Sequence, residues 1–226
     1  MKASTKVLLG IGGVALLASS VAVFARRGRL GSYEPGRMPL PPMVRETRAG
    51  GMITRHYRSP GLGIRERIGL IQKQIFESIH DPKMRQIAAE VVRHCPERDD
   101  LCETRAIYDA VRNRVRYTGD IAPIRHGPHG PKEGIDYYQS AYRTWTIGAG
   151  DCDDQTILVS TLLALNGIEP RLRTTAASFY DDESHIYGLA GLPKLSPSKW
   201  VAVDTTLPGR RFGYEAPYGR RRDYDA

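Results

Sequence analysis

Apolar positions recur at helical spacing three times between residues 64 and 117. In IRERIGLIQKQIFESI, residues 64–79, Ile64, Ile68, Ile71 and Ile75 fall on one stripe, joined by Leu70. Pro82 opens a second such stretch, PKMRQIAAEVVRHC, whose Met84, Ile87, Ala88, Val91 and Val92 form the face to be buried. A third, LCETRAIYDAVRNRVRY at 101–117, does the same with Ala106, Ile107, Ala110, Val111 and Val115. A Gly- and Pro-rich loop from 119 to 134 follows, and His126 and His129 within it read as loop residues. The pattern changes at Cys152. From there to Asn166, through TILVSTLLAL, the chain is apolar almost all round, which predicts a central, buried helix. Asp151 suits the N-cap of that helix and Gly167 the position after its end. Three strand candidates follow, EPRLRTTAAS, SHIYGLAGL and KWVAVDTTL. N-terminal helices, a central helix and then an antiparallel sheet make an α+β plan for one domain over 64–226.

Ahead of that domain the pattern is of another kind. Residues 7–24, VLLGIGGVALLASSVAVF, carry no charge and are followed at once by Arg26, Arg27 and Arg29. An apolar run of about 18 residues is long enough to cross a bilayer. Residues 1–29 are therefore expected to be a single-pass membrane anchor with a basic flank. The alternative is a signal peptide cut after Ser20, leaving a secreted or virion-associated protein. The arginines favour placing the C-terminal domain on the cytoplasmic side. Residues 30–63 hold no sustained period and are rich in Pro, Gly and Arg, so they are expected to be a linker.

Charge sharpens this division. The net charge is +8, and Lys2, Lys6 and the arginines between residues 26 and 63, set against Glu34 and Glu46, account for all of it. The domain itself is formally neutral. Basic residues beside an apolar run suit anionic lipid headgroups, and no specific nucleic-acid partner is expected. Of the three cysteines, Cys95 and Cys102 are expected to be unlinked thiols, with a bridge between them the alternative in an oxidising space. His94 beside Cys95 lacks the further ligands a zinc site needs.

Cys152 is the candidate for chemistry. It stands in GAGDCDD, at the first turn of the central helix, where unpaired N–H groups and the helix dipole favour a thiolate and offer donors to an oxyanion. Asp153 and Asp154 suit the same helix end but oppose a thiolate, so a cationic partner is required. An acidic rim that selects a cationic substrate is their alternative role. His185, at the start of one strand candidate, supplies a base. Asp204, inside WVAVDTT, is costly in an apolar strand unless paired, and can orient that base. Trp145 reads chiefly as a core residue.

GAGDCDDQTILVSTLLALNGIEPRLR, then HIYGL, then WVAVDTT, with AIYDAVRNRVRYTGD before them, resemble the transglutaminase-like superfamily, most closely its small microbial and bacteriophage members. The resemblance covers roughly residues 64–215. It implies a papain-like fold with Cys152 as nucleophile, His185 as general base and acid, and Asp204 as its orienter. It implies chemistry on amides of a protein or peptide through a thioester, by hydrolysis, deamidation or acyl transfer, with no metal or organic cofactor. The family's second oxyanion donor is often an aromatic or glutamine side chain upstream of the cysteine, which makes Trp145 and Gln139 the candidates. The competing expectation is a noncatalytic structural or binding module of a virion or cell envelope on the same fold.

Overall fold

The structure, a computed structural model, describes residues 40–58, 62–118, 126–127, 130–131 and 134–226. The apolar run 7–24 and its arginines lie outside the described residues. So do His129 and most of the loop from 119 to 133. In chain order the elements are β1 (Met43–Ala49), β2 (Met52–Arg58), α1 (Ile64–Ser78), α2 (Pro82–Val92), α3 (Asp100–Arg114), β3 (Arg116–Tyr117), β4 (His126–Gly127), β5 (Gly130–Pro131), β6 (Ile135–Gln139), α4 (Ala141–Ile147), β7 (Ala149–Gly150), α5 (Cys152–Leu165), β8 (Glu169–Ala176), β9 (His185–Leu192), β10 (Lys199–Val203) and β11 (Arg220–Asp225).

Helix α5 is the axis of the molecule. It touches α1, α2, α3, α4, β8 and β9, and every residue from Asp154 to Leu163 is buried. That explains its uniform apolarity: a helix with neighbours on all sides has no solvent face to keep polar. Both of its ends are closed as the residue types require. Asp151 accepts a hydrogen bond from the Asp154 N–H at 3.0 Å. At the far end Gly167, with φ of 76°, bonds to the Ala164 carbonyl while Ile168 bonds to the Leu163 carbonyl, a Schellman closure.

One side of α5 is covered by a four-stranded antiparallel sheet in the order β10-β9-β8-β11. The α+β plan and three of these strands match the sequence pattern. The fourth does not. Residues 220–222 are a run of arginines that reads as a solvated tail, yet they begin β11, which pairs with β8. An edge strand tolerates charge, and here the charges are matched. Arg173 of β8 grips Asp223 with two 2.6 Å hydrogen bonds and reaches Glu215 at 2.6 Å.

The linker expectation is corrected over 43–58. Strands β1 and β2 form a hairpin, and β2 pairs in turn with β6. Gly50 and Gly51, at φ of 58° and 86°, make the two-residue turn that strand twist favours and that only glycine enters without strain. The strand was hidden because two of its three buried positions, Thr54 and Arg55, are polar. Arg55 is only 5% exposed and is held by Glu46, Glu77 and Gln74. A paired guanidinium can be buried where an unpaired one cannot.

Two smaller differences matter for the site. The third helix stops at Arg114 rather than running to Tyr117, because β3 turns away to pair in parallel with β7. A short helix not foreseen, α4, precedes β7 and is capped by Ser140. The expectation of three unlinked thiols is also corrected. Cys95, just past α2, and Cys102, in α3, form a disulfide with Cα atoms 5.7 Å apart, which ties two successive helices together. Asp99 between them brings the cysteines close by capping α3 through the Cys102 N–H. Among the described residues no helix is long and apolar enough to cross a membrane.

Candidate active site

The turn before α5 is held from both sides. Arg116 donates to the Gly148 carbonyl at 2.9 Å and Thr118 to the Gly150 carbonyl at 3.0 Å. Gly150 has no room for a side chain: a Cβ there would sit 2.7 Å from the Cβ of Asp154 and 3.2 Å from Cγ2 of Thr144. Asp154 cannot yield, because it is buried and accepts from the Gln139 backbone at 2.8 Å and from the Gln139 side chain. Gly150→Ala is therefore expected to cost more than about 1 kcal/mol, the range of an overpacked core position. It should displace Cys152 as well, so chemical denaturation and the rate of Cys152 modification are both expected to change.

Cys152 is the first residue of α5 and is partly exposed. Its thiol donates to Asp153 Oδ1 at 3.7 Å. Burial, and then the carboxylates of Asp153 and Asp151, push the thiol well above its ordinary range. Desolvation and negative charge thus act against the helix dipole at this sulfur and favour its protonated form. Asp154 does not share this environment. It turns inward, and burial pushes its carboxyl up to about 7 against the hydrogen bonds from Gln139.

His185 opens β9, and its Nε2 lies 2.8 Å from Asp204 Oδ2. Asp204 is the residue just after β10 rather than a member of it. Leaving the sheet there lets Thr206 donate to Asp204 Oδ1 from both its N–H, at 3.0 Å, and its hydroxyl, at 2.7 Å. The buried carboxylate is thus fully engaged, which answers the cost of placing an acid after an apolar strand. With Nε2 directed to Asp204, Nδ1 is the nitrogen on the other side of the imidazole.

Cys152 and His185 line one cavity of about 630 Å³. Helix α1 contributes Ile64, Ile68 and Ile71 to the cavity wall, with Arg67 among them. The rest is largely acidic: Asp151, Asp153, Asp182 and Glu183 against Arg67. Arg67 is itself paired with Asp136, and Glu183 lies 3.5 Å from Arg220 and 3.2 Å from Arg222.

Neither Gln139 nor Trp145 lines this cavity. The Gln139 amide N–H groups go to Asp154 and the Ala149 carbonyl, and its oxygen accepts from Arg143. Trp145 packs on the core with the Arg114 guanidinium 4.5 Å from its ring. The aromatic side chain that does line the cavity is Tyr117, half exposed on β3 beside Gly150. Sequence reasoning missed it by extending the third helix through it, and a two-residue strand leaves no periodic signal. Among the described residues no group of His, Cys, Asp and Glu side chains is arranged to hold a metal ion.

A proposed cysteine protease from Cytophaga hutchinsonii is 19% identical, with a TM-score of 0.41, over 68% of this chain and 49% of that one. A proposed protease from Parabacteroides distasonis is 12% identical, with a TM-score of 0.42, over 62% of this chain and 29% of that one. The chain thus spans half or less of the length of these solved structures. No curated protein matches it. The sequence model of the transglutaminase-like superfamily matches residues 85–205, more than half the chain, with Cys152, His185 and Asp204 all inside the match. The chain belongs to the transglutaminase-like superfamily.

Proposed function

We propose that this protein is a thiol enzyme that cleaves or exchanges amide bonds in a protein or peptide, with Cys152 as nucleophile, His185 as base and acid, and Asp204 as the group that orients His185. The observation that carries the proposal is the 2.8 Å bond between His185 and Asp204 on the edge of the cavity that Cys152 also lines. With burial and the neighbouring carboxylates disfavouring the thiolate, His185 takes the Cys152 proton as the bond to the substrate forms. Sulfur attacks the amide carbonyl, and the carbonyl electrons move onto oxygen. The Cys152 N–H at the start of α5 and the Tyr117 hydroxyl stabilise that oxyanion, the latter in the role expected of Trp145 or Gln139. The C–N bond then breaks, the amine leaves with the proton from His185, and the acyl group remains on sulfur as a thioester. Water or a second amine releases it.

The acidic lining favours substrates with positive charge near the scissile amide. Membrane attachment through residues 7–24 is part of the same proposal. The Cys95–Cys102 bridge favours an oxidising compartment for the domain, opposite to the side suggested by the arginine flank. A noncatalytic binding module is the competing reading, favoured by the carboxylate-bonded resting thiol. The test is to incubate the full chain with glutamine-containing peptides of basic and acidic composition and a biotin-labelled amine, followed by mass spectrometry. Cleaved or deamidated basic peptides without labelled conjugate establish a hydrolase, and labelled conjugate establishes acyl transfer. If neither forms, and no acyl group is trapped on Cys152, the binding module takes the place of the enzyme.

A further inference from the structure

Two buried polar side chains follow the nucleophile by one turn and point away from the cavity. Gln155, 1% exposed, accepts from the Thr205 hydroxyl at 2.7 Å and donates to the Gly150 carbonyl at 3.2 Å. Thr156, 2% exposed, donates to the Ile186 carbonyl at 3.2 Å. Thr205 is the residue after Asp204, Ile186 is the residue after His185, and Gly150 is two residues before Cys152. One helical turn is therefore bonded to the chain segment of each of the three proposed reacting groups. None of Gln155, Thr156 and Thr205 lines the cavity, so none of them is placed to meet substrate.

The Ile186 backbone N–H also lies against the Cys152 sulfur, and further along α5 the contact with the sheet is largely one of packing, with Val159 against Gly188 of β9. Apolar burial is non-directional and leaves a helix free to settle with small shifts along its axis. Hydrogen bonds near 3 Å are directional and remove that freedom. Proton transfer from Cys152 to His185 depends on just this distance, and a misplacement of about 1 Å can lower a rate a hundredfold. We propose that Gln155 and Thr156 are positioning residues that hold the Cys152 end of α5 in register with the strands that carry His185 and Asp204. The proposal rests on the catalytic reading given above.

The test uses p-nitrophenyl acetate, which acylates a thiol with release of p-nitrophenolate and needs no knowledge of the natural substrate. The rate is measured on the full chain, with Cys152→Ala as the blank and thermal unfolding recorded for every variant. Thr156→Val keeps the shape and removes the donor, and Thr156→Ser keeps the donor. Thr156→Val and Gln155→Met are expected to acylate about tenfold more slowly or worse, while Thr156→Ser stays close to the wild-type rate. In a His185→Ala background Thr156→Val should have no further effect, since the register it sets serves His185. The proposal is overturned if Thr156→Val acylates at the wild-type rate, if Thr156→Ser is as slow as Thr156→Val, or if the loss persists undiminished without His185. Failure of the catalytic reading looks different: the wild-type chain would then acylate no faster than His185→Ala, and the two side chains would be satisfied core groups alone.

Discussion

Cys152→Ala is expected to fold as the wild-type chain does and to lose amide-bond chemistry altogether, with His185→Ala down by about a thousandfold or more. The side chain removed is small and only partly buried, so stability should change little. The two variants also separate two ways of using a cysteine. In a preformed thiolate–imidazolium pair, Cys152 would be alkylated rapidly below the free-thiol range of about 8.5, and His185→Ala would abolish that reactivity. Here burial and the carboxylates of Asp153 and Asp151 push the thiol above its ordinary range. Alkylation by iodoacetamide is therefore expected to rise only above the free-thiol range. It should respond weakly to His185→Ala even though turnover collapses. Mass-spectrometric alkylation against pH, run beside a turnover assay, reads both. Fast alkylation at neutral pH would show that the helix dipole prevails over the acidic turn and that the ion-pair mechanism applies. Full activity in Cys152→Ala would remove the enzyme reading.

Leu162→Ala should have the largest effect on stability. Leu162 is fully buried in the middle of the core, on a helix enclosed on all sides. A cavity left there has no flexible surface segment to fill it, so the loss should be near the upper end of the range for such changes, about 3–5 kcal/mol. Domains are stable by only about 5–15 kcal/mol, so the variant is expected to be marginal. At roughly 2–4 °C per kcal/mol for a chain of this size, its thermal midpoint should fall by about 6–20 °C. Catalysis should respond differently. Leu162 is ten positions along α5 from Cys152, about 15 Å at the rise of an α-helix. The fraction that remains folded should therefore turn over at the wild-type rate. A loss below about 1 kcal/mol in calorimetry would mean that the core around α5 closes over the gap.

How far each feature could be read in the amino-acid sequence follows from where its physical cause lies along the chain. The amphipathic stripes of α1, α2 and α3, the uniform apolarity of α5 and the caps Asp151 and Gly167 are set by residues within one helix of each other, so their period and spacing were sufficient. The same holds for Cys152, whose place at a helix start is a local matter, and for strands β9 and β10, whose apolar residues are contiguous. What only the tertiary structure decided depends on partners far apart in sequence. Arg55 can be buried in β2 because Glu77 of α1 and Glu46 of β1 meet it. The arginines of β11 form a strand because Glu183 meets Arg220 and Arg222, while Arg173 of β8 holds Asp223 of the same strand. Gln139 was a plausible donor until Asp154, fifteen positions on, claimed its amide. The upward push on the Cys152 thiol is of the same kind, because its largest cause is burial in the assembled fold, and no count of neighbouring aspartates measures that.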